Sequence, residues 1–93
     1  MIPNYQQLMR PFLEIAFEAN GSEVKLRDVI NLLADKFNLT EEERNQTIPS
    51  GKQSVLDNRV GWARTYLTKA KLLKTVKRAH FVITERGIQA LQD

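Results

Sequence analysis

Residues 54–73 read Ser-Val-Leu-Asp-Asn-Arg-Val-Gly-Trp-Ala-Arg-Thr-Tyr-Leu-Thr-Lys-Ala-Lys-Leu-Leu, and their spacing decides the fold. Leu56, Val60, Ala63, Leu67 and Ala70 recur at helical intervals and predict one buried stripe on a helix of about residues 54–70. On a helical wheel the opposite side carries Asn58, Gly61, Thr65 and Lys69, with Trp62 on its shoulder and Arg59 and Arg64 flanking the stripe. That outer face can hydrogen-bond and carries almost no acid. Directly after it comes a basic, β-like segment, residues 73–83. A helix with a polar, cationic outer face followed by a basic hairpin is the layout of a winged helix-turn-helix. The expected fold class is therefore mainly α with a small β-hairpin.

The flanking segments read as support for that helix. Asn4 and Gln7 form a capping pair that starts a first helix, with Leu8, Phe12, Ile15, Ala16 and Ala19 on one face. Pro11 predicts either a kink or a start just before it. Asn20-Gly21 ends this helix, and Glu23-Val24 reads as a short extended link. Leu26, Val29, Ile30, Leu33, Ala34 and Phe37 mark a second amphipathic helix closed by Asn38. Thr40 and Glu43 make a second capping box for a short helix ending near Asn45 or Gln46. Two strands, 73–77 and 80–83, flank a turn at Arg78-Ala79, with Leu73, Val76, Phe81 and Ile83 as apolar contacts. Thr84 caps a last helix to about Gln92, with Ile88 and Leu91 facing inward.

Length and charge bound the function. Ninety-three residues make one domain with a single core and no roomy cleft. There is no Cys, no run long enough to span a membrane and no signal-like start, so the chain reads as cytoplasmic, without a membrane partner. The net charge of +3 is unevenly spread: residues 1–50 hold five Lys/Arg against eight Asp/Glu, and residues 51–93 hold nine against three. The half with the central helix and hairpin therefore suits a polyanion.

No catalytic constellation emerges. His80 is the sole His, lacks a neighbouring carboxylate in sequence, and reads as a wing-tip residue rather than a ligand. Glu41-Glu42-Glu43 point in different directions on a helix and sit at its dipole-favoured start. Ser50-Gly51-Lys52 lacks the rest of a phosphate-binding loop. No cofactor and no metal is expected. The DNA reading instead places Asn58 and Arg59 at base edges, with Arg59 alternatively pairing Asp57 or Glu43. Thr65 and Lys69 would meet phosphate further along. Ser50, Lys52 and Ser54 suit phosphate contacts just before the helix, and Lys74, Lys77 and Arg78 give the wing its charge. Trp62 reads more as packing against the first helix or the wing than as stacking on a base, and Arg64 reads as a structural salt-bridge residue.

At Asn58-Arg59-Val60-Gly61-Trp62-Ala63-Arg64, with Leu67, Ala70 and Leu72 beyond, the chain resembles the N-terminal domain of Mrr-type restriction endonucleases. The opening Pro3-Asn4-Tyr5 with Arg10-Pro11, the loop Ile48-Pro49-Ser50-Gly51-Lys52 and the closing Ile83-Thr84-Glu85-Arg86-Gly87 extend the resemblance over roughly residues 2–92. The resemblance implies a winged-helix module that reads double-stranded DNA for a restriction system that cuts modified DNA. In such proteins a separate C-terminal nuclease domain cuts, so residues 1–93 would be one DNA-binding domain that is not itself an enzyme. Two positions depart from the family pattern: Lys71 and Ala79 stand where glycine is usual. Two other readings stay open: a winged-helix protein-interaction or dimerisation domain, with a homodimer as the partner form, and a stand-alone transcriptional regulator without a nuclease.

Overall fold

The computed structural model describes residues 1–93. The order is α1 (Tyr5–Glu18), β1 (Val24–Lys25), α2 (Leu26–Lys36), α3 (Glu41–Asn45), α4 (Val55–Lys69), β2 (Leu73–Lys77), β3 (His80–Ile83) and α5 (Glu85–Gln92). The strands form one antiparallel sheet in the order β1-β3-β2. This is a winged helix-turn-helix: α2, α3 and α4 form the helical turn, and β2–β3 the wing.

Local chemistry sets most boundaries. Asn4 and Gln7 satisfy each other's backbone N–H at 2.8 and 2.9 Å to start α1, and Thr40 and Glu43 do the same for α3. Ser54 and Thr84 cap α4 and α5 through hydroxyl oxygens that accept from the N–H of Asp57 and Gly87. Asn20 and Asn38 close α1 and α2 with φ of 54° and 53°. Pro11 does not start α1, which runs through it from Tyr5. The first helix therefore carries an interior proline and forgoes one backbone bond there.

The core is wholly apolar, sixteen residues in one cluster. Leu8, Phe12, Leu13 and Ala16 of α1 and Leu56, Val60, Ala63 and Leu67 of α4 contribute half of it, and the two helices pack extensively on each other. Phe12 meets Phe81 of β3 edge-to-face, with ring centres 6.2 Å apart. Burying each such side chain stabilises by roughly 1.5–3 kcal/mol. Two residues expected on the buried side are exposed. Ala70 is the C-cap of α4 and is exposed, where the helix ends. Val76 is 43% exposed because the β2–β3 register steps from Thr75↔Phe81 to Lys77↔His80, leaving it in a bulge. No helix is long and apolar enough to cross a membrane.

Candidate nucleic-acid interface

The helix α4 is fixed by its neighbours rather than by propensity, since Val60, Gly61, Thr65 and Thr68 are all weak helix formers. Its threonines bond back to the helix itself, Thr65 Oγ1 donating to the Gly61 carbonyl at 3.0 Å and Thr68 Oγ1 to those of Arg64 and Thr65. At its N-terminus Arg27 of α2 grips Asp57 with two hydrogen bonds, at 2.7 and 3.3 Å. Those bonds raise the Arg27 pKa above its ordinary value. Asp57 is the one acid between residues 54 and 83, so its pairing leaves the outer side of α4 and the wing without a free carboxylate.

Asn58, Gly61, Thr65 and Lys69 lie on the side opposite the buried stripe, as the wheel predicts. A shallow depression there is lined by Gln53, Asn58, Gly61, Trp62, Arg64 and Thr65. Gln53 escaped the sequence reading. It precedes the cap, and its Oε1 accepts from Asn58 Nδ2 at 3.2 Å, so the two amides form one hydrogen-bonding unit. The signal that could have found it is its place one residue before a Ser cap, where a side chain projects beside the first turn.

Arg59 takes a different role from the expected one. Asp57 is held by Arg27 and Glu43 by the Met1 ammonium, and Arg59 Nη1 donates instead to the carbonyls of Ile2 and Pro3 at 2.9 and 3.3 Å. Its guanidinium is turned toward the chain start, away from the Asn58–Thr65 face. Arg64 forms no salt bridge either, and its Nε is buried without a partner. Trp62 is 51% exposed, its indole 6.2 Å from Tyr66, whose ring stacks on Tyr5 of α1 at 5.1 Å. Tyr66 thus links the Trp62 ring to Tyr5 of the first helix.

Ser50 and Lys52 are exposed in the loop before α4, where the Ser50 hydroxyl accepts from the Lys52 N–H and Gly51 takes a φ of 73°. The Ser54 hydroxyl oxygen is engaged as the cap. In the wing, Lys74 and Arg78 are exposed and unpaired, whereas Lys77 reaches Glu23 at 3.4 Å. Both partners of that pair are solvent-exposed, so it is weak and easily exchanged for another anion. Thr68, Lys71, Leu73, Lys74, Thr75 and Thr84 line a notch where α4 meets β2, so the helix and the wing base share one surface. His80 Nδ1 lies 2.7 Å from the Arg78 carbonyl and braces the wing turn. No group of three His, Cys, Asp or Glu side chains could hold a metal ion. The largest depression, about 780 Å³, lies elsewhere: residues of α1, β1 and α2 line it with Glu18, Glu23, Asp28 and His80, and none from α4.

The model of the Mrr N-terminal domain family matches residues 5–93. This chain belongs to that family. The Mrr N-terminal domain described here is also 33% identical over 87 residues to the type IV methyl-directed restriction enzyme EcoKMrr of Escherichia coli strain K12. The match covers 92% of this chain and 28% of that protein, so the chain spans little more than a quarter of its curated relative. No solved structure matches this Mrr N-terminal domain.

Proposed function

We propose that this domain is a duplex-DNA-binding module of a methyl-directed restriction enzyme, with α4 in the major groove and the β2–β3 wing on the phosphate backbone. The observation that carries the reading is the surface made by the outer side of α4 and the adjoining wing, whose one acid within residues 54–83, Asp57, is paired with Arg27. Its family and its restriction-enzyme relative support the same reading. In it, residues 1–93 act as one DNA-reading unit, and cutting belongs to a nuclease domain elsewhere in a longer parent.

The roles follow from the chemistry of each side chain. Asn58, steadied by Gln53, meets base edges, where an amide pairs well with adenine. Thr65 and Lys69 meet phosphate beyond it, and Ser50, Lys52 and Ser54 do so before the helix. Lys74, Lys77 and Arg78 supply sequence-blind attraction. Arg59 leaves the reading set because it is committed to the chain start.

The test is fluorescence anisotropy of labelled 20-base-pair duplexes across a salt series. Affinity is expected to fall steeply with salt. Lys74→Ala and Lys77→Ala should each weaken all duplexes alike and flatten the log–log salt slope by about one. Asn58→Ala should instead change which duplexes are preferred. Binding that ignores salt, or none at about 50 mM salt, would favour the protein-interaction reading and overturn this one.

A further inference from the structure

Gly61 has no structural reason within the domain. A Cβ built on it meets nothing within 4 Å, so neither a helix crossing nor a tight turn requires the glycine. Its backbone is ordinary right-handed helix, which any residue adopts. It nevertheless sits at the centre of the outer side of α4, where its missing side chain bares the backbone to whatever approaches from outside. The next residue is the chain's one tryptophan, half-exposed at the rim of the same depression. Its indole does not stand alone: Tyr66 lies behind it, and Tyr5 of α1 behind Tyr66, three rings in a row anchored on another helix.

We propose that Gly61 and Trp62 read a methyl group on a base in the major groove, Gly61 admitting the base edge close to the helix and the Trp62 indole covering the methyl. This rests on the duplex-binding reading above. Base edges in the major groove are polar and suit Asn58 and Gln53. Methylation at N6 of adenine or C5 of cytosine adds an apolar knob that an amide cannot satisfy. A rigid aromatic wall beside two amides is complementary to that mixed edge, and the buttressing by Tyr66 and Tyr5 spares the ordering entropy of a free side chain.

The experiment uses three duplex pools randomised over ten central base pairs, made with ordinary nucleotides, with N6-methyladenine or with 5-methylcytosine. Wild-type protein should bind one methylated pool about fivefold or more tighter than the unmodified pool, the scale of one covered methyl, and its single tryptophan should lose emission on binding. Trp62→Ala should bring that ratio to about one while keeping the salt slope, because no charge is lost. Trp62→Phe, still aromatic, should retain part of the preference. Gly61→Ala should raise the thermal midpoint, because alanine favours helix, and yet weaken binding to every pool. A purely structural glycine would not produce that opposition. Equal affinity of wild type for all three pools, an unchanged ratio in Trp62→Ala, or undiminished affinity in Gly61→Ala would overturn the methyl-reading role and leave duplex binding standing. Absence of binding to any pool would remove the duplex reading itself, and this inference with it.

Discussion

Lys71 and Ala79 both occupy left-handed backbone, with φ of 65° and 60°. A Cβ there crowds the following carbonyl and costs on the order of 1–2 kcal/mol, which glycine avoids. Each sits at a junction of the fold: the Lys71 carbonyl accepts from Thr84 Oγ1 at 2.7 Å, and that of Ala79 accepts from the Leu26 N–H at 2.8 Å. Only the second residue of the Arg78-Ala79 turn has positive φ, so the turn is not of the mirror-image type that a two-residue hairpin favours, and the bulge at Val76 accompanies it. Lys71→Gly and Ala79→Gly should each stabilise the domain by about 1 kcal/mol, raising the thermal midpoint by roughly 4–8 °C. The pair separates strain from charge. Ala79→Gly should leave duplex affinity nearly unchanged, whereas Lys71→Gly should lower it at low salt, because a cation beside the wing base is lost. A melting point that drops in both would refute the strain argument.

At the scale of elements, α5 is the piece that locks the wing to α4. Thr84 Oγ1 donates to the Lys71 and Leu72 carbonyls and accepts from the Gly87 N–H, joining the end of α4, the start of β2 and the cap of α5 at one hydroxyl. Gly87 is buried, and a Cβ on it would lie 2.3 Å from the Leu72 carbonyl oxygen and 2.8 Å from Ile83 Cγ1. Backbone cannot yield as a flexible side chain would. Gly87→Ala should therefore destabilise by about 2 kcal/mol or more in chemical denaturation, even though alanine favours helix. An unchanged midpoint would mean that α5 is free to shift. Gly87 and Gly61 make opposite cases of the same residue type, one demanded from inside the domain and one not. Sequence alone could not separate them, because what faces a glycine depends on elements far along the chain. The caps at Asn4, Thr40 and Thr84, by contrast, were legible, since each bonds to the residue three positions on, whereas Ser54, read only as a phosphate contact, caps α4 in the same way. Interactions across 30 to 57 residues were not: Arg27 on Asp57, and Arg59 on the Ile2 and Pro3 carbonyls. The outer side of α4 followed from helical periodicity, while the Gln53 contact and the exposed Trp62 needed the packed structure.

Taken whole, the molecule puts no polar or charged residue in its core and keeps its six ion pairs at the surface. Salt should consequently strip a polyanion from the α4–wing surface while moving the unfolding midpoint little. The start of the chain closes the fold: Ile2 is buried, Arg59 of α4 holds the Ile2 and Pro3 carbonyls, and Glu43 of α3 holds the Met1 ammonium. That last contact, followed by the hydrogen bond from the Thr40 backbone N–H, keeps the Glu43 carboxyl below its ordinary value of 4.5. A carboxyl whose pKa is lower folded than unfolded favours the native state when ionised. Its contribution is complete above the unfolded value, near pH 4.5, and fades as the pH falls through the lower folded value. Glu43→Gln keeps an oxygen for the Thr40 N–H and removes only the charge. The variant should melt below wild type at about pH 6, and the two should draw together as the pH falls from about 4.5 through the lowered folded value. Melting curves that stay parallel across that range would show that the chain start is held by Arg59 and the burial of Ile2 alone.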